Sequence, residues 1–288
     1  MKIPLKTLNC GLSMPALGMG TWGMGGHMTR DPENDDAGNV AILNAGLDQG
    51  LTHIDTAEIY AGGHAEEIVG QAIAGQRREN LFITSKVYTN HLSCDGVRIA
   101  VEGSLKRLGT GYLDLYLIHQ VDEKASLEDT IRGLDRLQDE GLIKNIGVSN
   151  FAAKRLKMAQ AYSSHKIVAN QVHYNLVVRE PELELLEYCQ AHDVMLIAYR
   201  PVMANGILQG ECELMRRICG KYRKTPVQIA INWLLSQKNV TTVVAMLDKK
   251  FVPENIAAAG FAMDAEDCEA LRTEFPGRQF KSDMHTLR

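Results

Sequence analysis

The sequence predicts an α/β fold: a closed (β/α)8 TIM barrel with an N-terminal β-hairpin capping the barrel bottom. Eight short apolar runs alternate with longer amphipathic stretches along almost the whole 288 residues. Most runs are followed by a helical pattern at the spacing of βα units, which favours parallel pairing. Eight such units fit a closed barrel better than an open sheet, which usually stops at five or six strands. No Ser/Gly-rich linker or low-complexity segment divides the chain, so 1–288 reads as one domain.

Ahead of the first unit, IPLKT-LNCG-LSMPA reads as two short strands around a turn, placed to plug the barrel's N-terminal end. The barrel strands are ALGMG from Ala16, THID from Thr52, LFITSK from Leu81 and LDLYLIH from Leu113. NIGVSN from Asn145, IVANQVHY from Ile167, VMLIAY from Val194 and TTVVAM from Thr241 complete the eight. Helical periodicity covers 37–49, 64–74, 93–108, 126–140 and 181–192. In TPVQIAINWLLSQ, Thr225 is a predicted N-cap and Pro226 occupies the first helical position, where its missing N–H costs nothing. GMGTWG, 18–23, matches a GxGxxG pattern after a strand. A dinucleotide fingerprint must also open a helix. Here MGGHMTRDPEND follows, so a glycine-rich loop over a barrel mouth is the better reading.

Composition removes several classes. The balance of 31 basic and 35 acidic residues gives a net charge of −4 with no basic stripe, which argues against nucleic acid or an anionic membrane as partner. The N-terminal MKIPLKTLNCGLSMP lacks the apolar stretch of a signal peptide, and no run approaches membrane-spanning length. A cytoplasmic location is expected. The six cysteines (Cys10, Cys94, Cys189, Cys212, Cys219, Cys268) form no CxxC pair, and the nine histidines no HExxH. Reduced thiols and no metal site are therefore expected.

In a parallel barrel every strand's C-terminal end faces one mouth. Asp55 closes the second strand, Lys86 the third and His119 the fourth, each a polar end to an apolar run. Adjacency in the sheet brings acid, base and imidazole together, with Tyr60 just past Asp55. A tyrosine with its usual pKa of about 10 transfers protons poorly near neutrality. An ammonium beside it would stabilise the phenolate, and a carboxylate would keep that ammonium charged and oriented. Bringing the phenol near neutrality takes about 4 kcal/mol of differential interaction. Tyr60 thus reads as proton donor, Lys86 as its tuner, Asp55 as the lysine's anchor and His119 as a donor orienting a carbonyl oxygen. Carbonyl reduction also needs a hydride source. Ser149, Asn150 and Gln171 suit the amide of a nicotinamide, which both donates and accepts, and Tyr199 suits stacking on its ring. Ser149 could equally cap the following helix.

GLTHIDTAEIYAGGHAEEIVG, LFITSKV, YLDLYLIH, IGVSNF, NQVHYN and AYRPV resemble, in order, signatures of the aldo-keto reductases. The resemblance runs from LGMGTW to PENIAA. It implies a (β/α)8 barrel, NAD(P)H bound in extended form at the C-terminal mouth, and reduction of small aldehydes or ketones to alcohols. NADP(H) is the expected cofactor and NAD(H) the alternative. The family's catalytic tetrad matches Asp55, Tyr60, Lys86 and His119. Its nicotinamide contacts match Ser149, Asn150, Gln171 and Tyr199. The segment RPVMANGILQG, beginning at Arg200 and Pro201, matches the one that wraps the pyrophosphate.

This sequence also departs from the family pattern. Gln120 and Val121 replace an aromatic residue and a proline, making one pocket wall more polar. Ala245, Met246 and Phe251 stand where NADP-dependent members carry a lysine, a hydroxyl and an arginine. Glu254 and Asn255 match residues near the adenine. Lys249 and Lys250 can reach a 2′-phosphate as point charges, or can be a solvated turn. The short tail after EFPGRQF predicts an open site, with Trp22 as aromatic wall on the substrate side. A monomer or weak oligomer is expected. Two other functions stay open: a cofactor-binding regulatory barrel resembling channel subunits, with little turnover, and a barrel lyase or isomerase using Lys86 as a Schiff base.

Overall fold

The computed structural model describes residues 3–202 and 212–288. Most of RPVMANGILQG therefore lies outside the described residues. Each of the eight predicted runs forms a strand. After β1 (Leu5–Thr7) and β2 (Ser13–Pro15) come β3 (Leu17–Gly20), β4 (His53–Asp55), β5 (Phe82–Val87) and β6 (Leu115–Ile118). Then follow β7 (Ile146–Ser149), β8 (Ile167–His173), β9 (Met195–Tyr199) and β10 (Val240–Ala245). Strands β3 to β10 close a parallel barrel in chain order, with β10 returning to β3. Their side chains are buried almost throughout, lumen-facing on one side and helix-facing on the other. That double burial explains why the runs are continuously apolar rather than alternating.

The helices are α1 (Asp36–Asp48), α2 (His64–Ile73), α3 (Cys94–Leu108), α4 (Leu127–Asp139) and α5 (Ala153–Tyr162). The second half adds α6 (Leu185–Ala191), α7 (Glu213–Tyr222), α8 (Pro226–Leu235), α9 (Val252–Ala258) and α10 (Ala265–Glu274). Thr225 and Gln228 form a full capping box at α8, and Pro226 sits in its first turn, as the sequence predicts. The predicted helix over 181–192 is two pieces. A 3-10 turn over Glu180–Leu183 ends where Glu184 takes φ −154, and only then does α6 begin.

The hairpin plugs the barrel. β1 and β2 pair antiparallel, and Leu8, Leu12 and Met14 pack in one cluster with Leu115, Leu117, Val168, Met195, Ile197 and Val243 from the lumen. Lys6 ties the hairpin to the barrel by donating to the carbonyls of Leu235 and Gln237. Close backbone approach is needed nearby: a Cβ on Gly18 would lie 2.4 Å from Nδ1 of buried His53.

Met14 is 0% exposed. Met14→Ala should cost about 2–5 kcal/mol, because the hairpin cannot follow the receding side chain without losing its own pairing. Denaturant unfolding checks this. A loss under about 1 kcal/mol would mean that the hairpin does not seal the lumen.

Candidate active site

The mouth is assembled from strand ends, and its centre is a fully buried ammonium. Lys86 Nζ, 0% exposed, donates to Asp55 Oδ1 at 2.6 Å, to the Thr56 carbonyl at 2.8 Å and to the Tyr60 hydroxyl at 3.3 Å. β4 pairs with β5 so that Asp55 lies opposite Thr84, which sets the carboxylate within reach of Lys86 two residues on. Asp55 is held further by its own carbonyl, which accepts from the N–H and hydroxyl of Thr21. The carboxylate at the end of this core strand is therefore paired with the lysine of the next strand.

Tyr60 starts a tight 3-10 turn, Tyr60–Gly63, in which Ala61, Gly62 and Gly63 have φ of 51, 65 and 97. At Gly63 a Cβ would come within 2.9 Å of Arg107 Nε, so this left-handed position is reserved for glycine on two counts. Arg107 itself is paired with buried Glu66, which also accepts from Ser85. Glu58, in the same loop, accepts from the Tyr88 N–H at 2.6 Å and ties the loop after β4 to the one after β5. Sequence reasoning gave Glu58 no role. It sits beside Asp55 and Tyr60, but its partners are the Tyr88 backbone N–H and His91 Nδ1, 3.1 Å away, both past the next strand, and no local pattern discloses them.

His119 meets Tyr60 and Tyr88 edge-on, with ring centroids 5.6 and 5.7 Å away. Its Nδ1 is buried without a hydrogen-bond partner among the described residues. Trp22, 40% exposed, lies edge-on to the Tyr60 ring at 5.0 Å, which places it on the rim beside that residue.

The second half of the mouth is one connected hydrogen-bond network. The Ser149 hydroxyl and the Asn150 N–H both donate to the Gln171 carbonyl. The Asn150 amide donates to Ser149 Oγ and to the His119 carbonyl, and accepts from the Tyr199 hydroxyl at 2.9 Å. Tyr199 stacks on His173, with centroids 5.5 Å apart and 14° between planes. The Arg200 carbonyl accepts from Asn175, and Pro201 is buried. His173 is a further residue that sequence reasoning missed, because a histidine inside an apolar strand reads as core.

Burial is the largest influence on Tyr60 and pushes its phenol up; the Lys86 ammonium pulls it down but does not prevail, and Asp55 adds to the rise. The phenol is therefore held above its ordinary value. This corrects the expectation of a phenol brought toward neutrality: the lysine offsets burial instead of overcoming it. For Lys86, burial favours the neutral amine, yet Asp55 and Tyr60 outweigh it, and the ammonium is held above the usual lysine value. Burial, then Lys86 and His285, hold the His119 imidazole well below its usual range.

The adenosine-end residues are more dispersed. Lys249 and Lys250 are exposed, and Lys250 is paired with Asp248 at 2.7 Å. Glu254 Oε1 accepts from the Thr225 hydroxyl, so it serves the cap of α8, and Asn255 is buried against Met246 Sδ. Gln120 lies 3.4 Å from His285.

His285 belongs to a tail that the sequence reading leaves clear of the site. The structure lays 276–288 across the mouth. Gln279 bonds Val177, Ser282 bonds His173, and the Leu287 N–H reaches Glu180. The Arg288 N–H donates to the Asn150 carbonyl, and its carbonyl accepts from Ala152. The mouth is not open on that side, against the expectation of an open site.

The eight-stranded parallel barrel holds a buried Asp–Lys–Tyr cluster at its C-terminal mouth, an arrangement chemically suited to proton transfer. Residues 16–273 match the model of the aldo/keto reductase family. The chain belongs to that family. It is 33% identical to a methylglyoxal reductase of Escherichia coli (strain K12), over 95% of both chains. It is 34% identical to a glyoxal reductase of Bacillus subtilis (strain 168), over 92% of this chain and 90% of the other. A thermostable aldo-keto reductase in complex with the inhibitor epalrestat superposes with a TM-score of 0.88 at 39% identity, covering 94% of this chain and 99% of that one. An aldo/keto reductase from Klebsiella pneumoniae in complex with NADP and acetate gives 0.86 at 32% identity over the whole of both chains.

Because Tyr60 is held above 10.0, the phenolate should be absent through neutrality and form only in alkali. Near-ultraviolet titration of the apoprotein, with the Tyr60→Phe variant as the difference reference, checks this. A phenolate step attributable to Tyr60 near neutral pH would contradict it.

Proposed function

We propose that the chain reduces small aldehydes or ketones to alcohols with NADPH, using Tyr60 as the proton donor. Family membership carries the reaction class, and the 3.3 Å contact between the Tyr60 hydroxyl and the buried Lys86 ammonium carries the assignment of the donor. The methylglyoxal and glyoxal reductases among the relatives support small dicarbonyl compounds as the substrate class. The structures with NADP support that cofactor. The hairpin, barrel and tail pack on one body, which supports a single domain. No helix among the described residues is long and apolar enough to cross a membrane.

The residues at the mouth fit a nicotinamide. Ser149, Asn150 and Gln171 offer donors and acceptors side by side, and Tyr199, backed by His173 on one face, is a braced aromatic plate. NADPH, when bound, supplies the hydride that reduces the carbonyl carbon. The protein's own part is the oxygen end. Tyr60, protonated at working pH, gives its proton to the carbonyl oxygen, and the phenolate left behind is stabilised by Lys86. His119, neutral, can donate a hydrogen bond to the same oxygen without adding a charge. Trp22 walls the substrate side and Gln120 lends it polarity. The mouth gives Lys86 three oxygen partners and places it under Tyr60, which leaves no reason to read it as a Schiff-base nucleophile.

Tyr60→Phe should keep the fold and NADPH binding but lose about 10²–10⁴-fold in kcat. Steady-state reduction of methylglyoxal with NADPH tests this, and a variant with wild-type kcat would remove Tyr60 as donor.

NADPH should be preferred over NADH by a modest factor. Lys250 is neutralised by Asp248, so Lys249 carries most of any attraction for a 2′-phosphate, as a screened point charge. Comparing kcat/KM for both cofactors at low and high salt should show the preference falling with salt, and falling in Lys249→Ala. A preference unmoved by either would assign 2′-phosphate recognition elsewhere.

A further inference from the structure

The second oxygen of the Asp55 carboxylate has a partner from the opposite side of the barrel. β4 and β8 are separated by three strands in either direction around the closed sheet, so they face each other across the lumen. Gln171, on β8, nonetheless donates its Nε2–H to Asp55 Oδ2 at 2.7 Å, and both side chains are buried. A carboxylate engaged with an ammonium only accepts, which fixes the Gln171 amide with its nitrogen toward Asp55. Each Asp55 oxygen thus has one charge-assisted bond, Lys86 on Oδ1 and Gln171 on Oδ2. The Gln171 backbone carbonyl simultaneously accepts from Ser149 and Asn150. One residue therefore joins the Tyr199–Asn150–Ser149 network to the Asp55–Lys86–Tyr60 cluster.

We propose that Gln171 is a positioning residue for the proton donor: its amide holds Asp55 from across the lumen and thereby keeps the Lys86 ammonium aimed at the Tyr60 hydroxyl. This rests on Tyr60 being the donor. Were Asp55 held by Lys86 alone, the carboxylate could rotate about its bond and draw the ammonium away from the phenol. Holding both oxygens removes that freedom, and it couples any displacement at Ser149 or Asn150 to the proton-donating half of the site.

Gln171→Glu and Gln171→Met test this. The introduced carboxyl in Gln171→Glu, while protonated, can donate to Asp55 Oδ2 as the amide does. Once ionised it faces a second carboxylate at hydrogen-bonding distance and repels it. Like charges sharing a site raise one pKa, so kcat of Gln171→Glu should fall about tenfold or more between about pH 5 and about pH 8, where wild type is nearly flat. The apoprotein of Gln171→Glu, unfolded in denaturant without cofactor, should lose stability over the same range. Gln171→Met should lower kcat with a pH profile of wild-type shape. A Gln171→Glu profile and apoprotein stability that both follow wild type, with only the KM for NADPH changed, would overturn the proposal and leave Gln171 as a cofactor contact alone. Loss of activity in Tyr60→Phe alongside that result would show that this inference had failed while the assignment of the donor stood.

Discussion

An ammonium sealed from water dictates the layout of this barrel's mouth. Moving a charge into a protein interior costs several kcal/mol unless partners replace its hydration. Lys86 is wholly buried, and its three bonds, to Asp55, to the Thr56 carbonyl and to Tyr60, supply that replacement. Two of these partners come from the strand beside it and the next residue, and the third from the turn that follows. The parallel register of β4 and β5 is therefore as much a part of the site as the side chains. A shift of one residue would turn Asp55 or Lys86 out of the lumen.

The same constraint gives the phenol its character. In an apolar pocket without the lysine, Tyr60 would hold its proton far too tightly to release it. Beside Lys86 it remains a neutral acid at neutral pH, yet the phenolate formed by proton release meets a positive charge already in place. The arrangement favours donation, the direction reduction requires, over abstraction. Rigidity serves this end. Arg107 and Glu66 back the turn that carries Tyr60, Glu58 binds it to the neighbouring loop, and Gln171 braces Asp55 from across the lumen.

Much of this was legible in the sequence because barrels make strand order and spatial order the same. Eight apolar runs read as eight strands, and polar residues at their ends then had to meet. Asp55, Lys86 and His119 could be placed together on that ground alone, and Thr225 with Pro226 marked a helix start by local chemistry. Three kinds of feature were not legible. α5 starts at Ala153, and its N-cap residue, Ala152, has no side-chain hydrogen bond to announce it. Balances of opposing effects, such as burial against charge at Tyr60, depend on distances that a sequence does not hold. Long-range contacts of the tail, such as the side-chain bond of Ser282 to His173 and the backbone bond of Arg288 to Asn150, leave no periodic trace, so its path over the mouth is not legible in the sequence.

The Asp55–Lys86 pair should serve function more than stability, since a buried ion pair replaced by apolar or neutral groups often costs little, whereas an orphaned partner costs about 3–5 kcal/mol. The direct measurement is a double-mutant cycle of Asp55→Asn and Lys86→Met, following denaturant unfolding and carbonyl reduction in parallel. The account predicts that each single variant is destabilised by about 3–5 kcal/mol, that the double variant is more stable than Lys86 left without its carboxylate, and that reduction stays lost in the double variant. A double variant whose instability is the sum of the singles, or one that still reduces carbonyls at the wild-type rate, would contradict it.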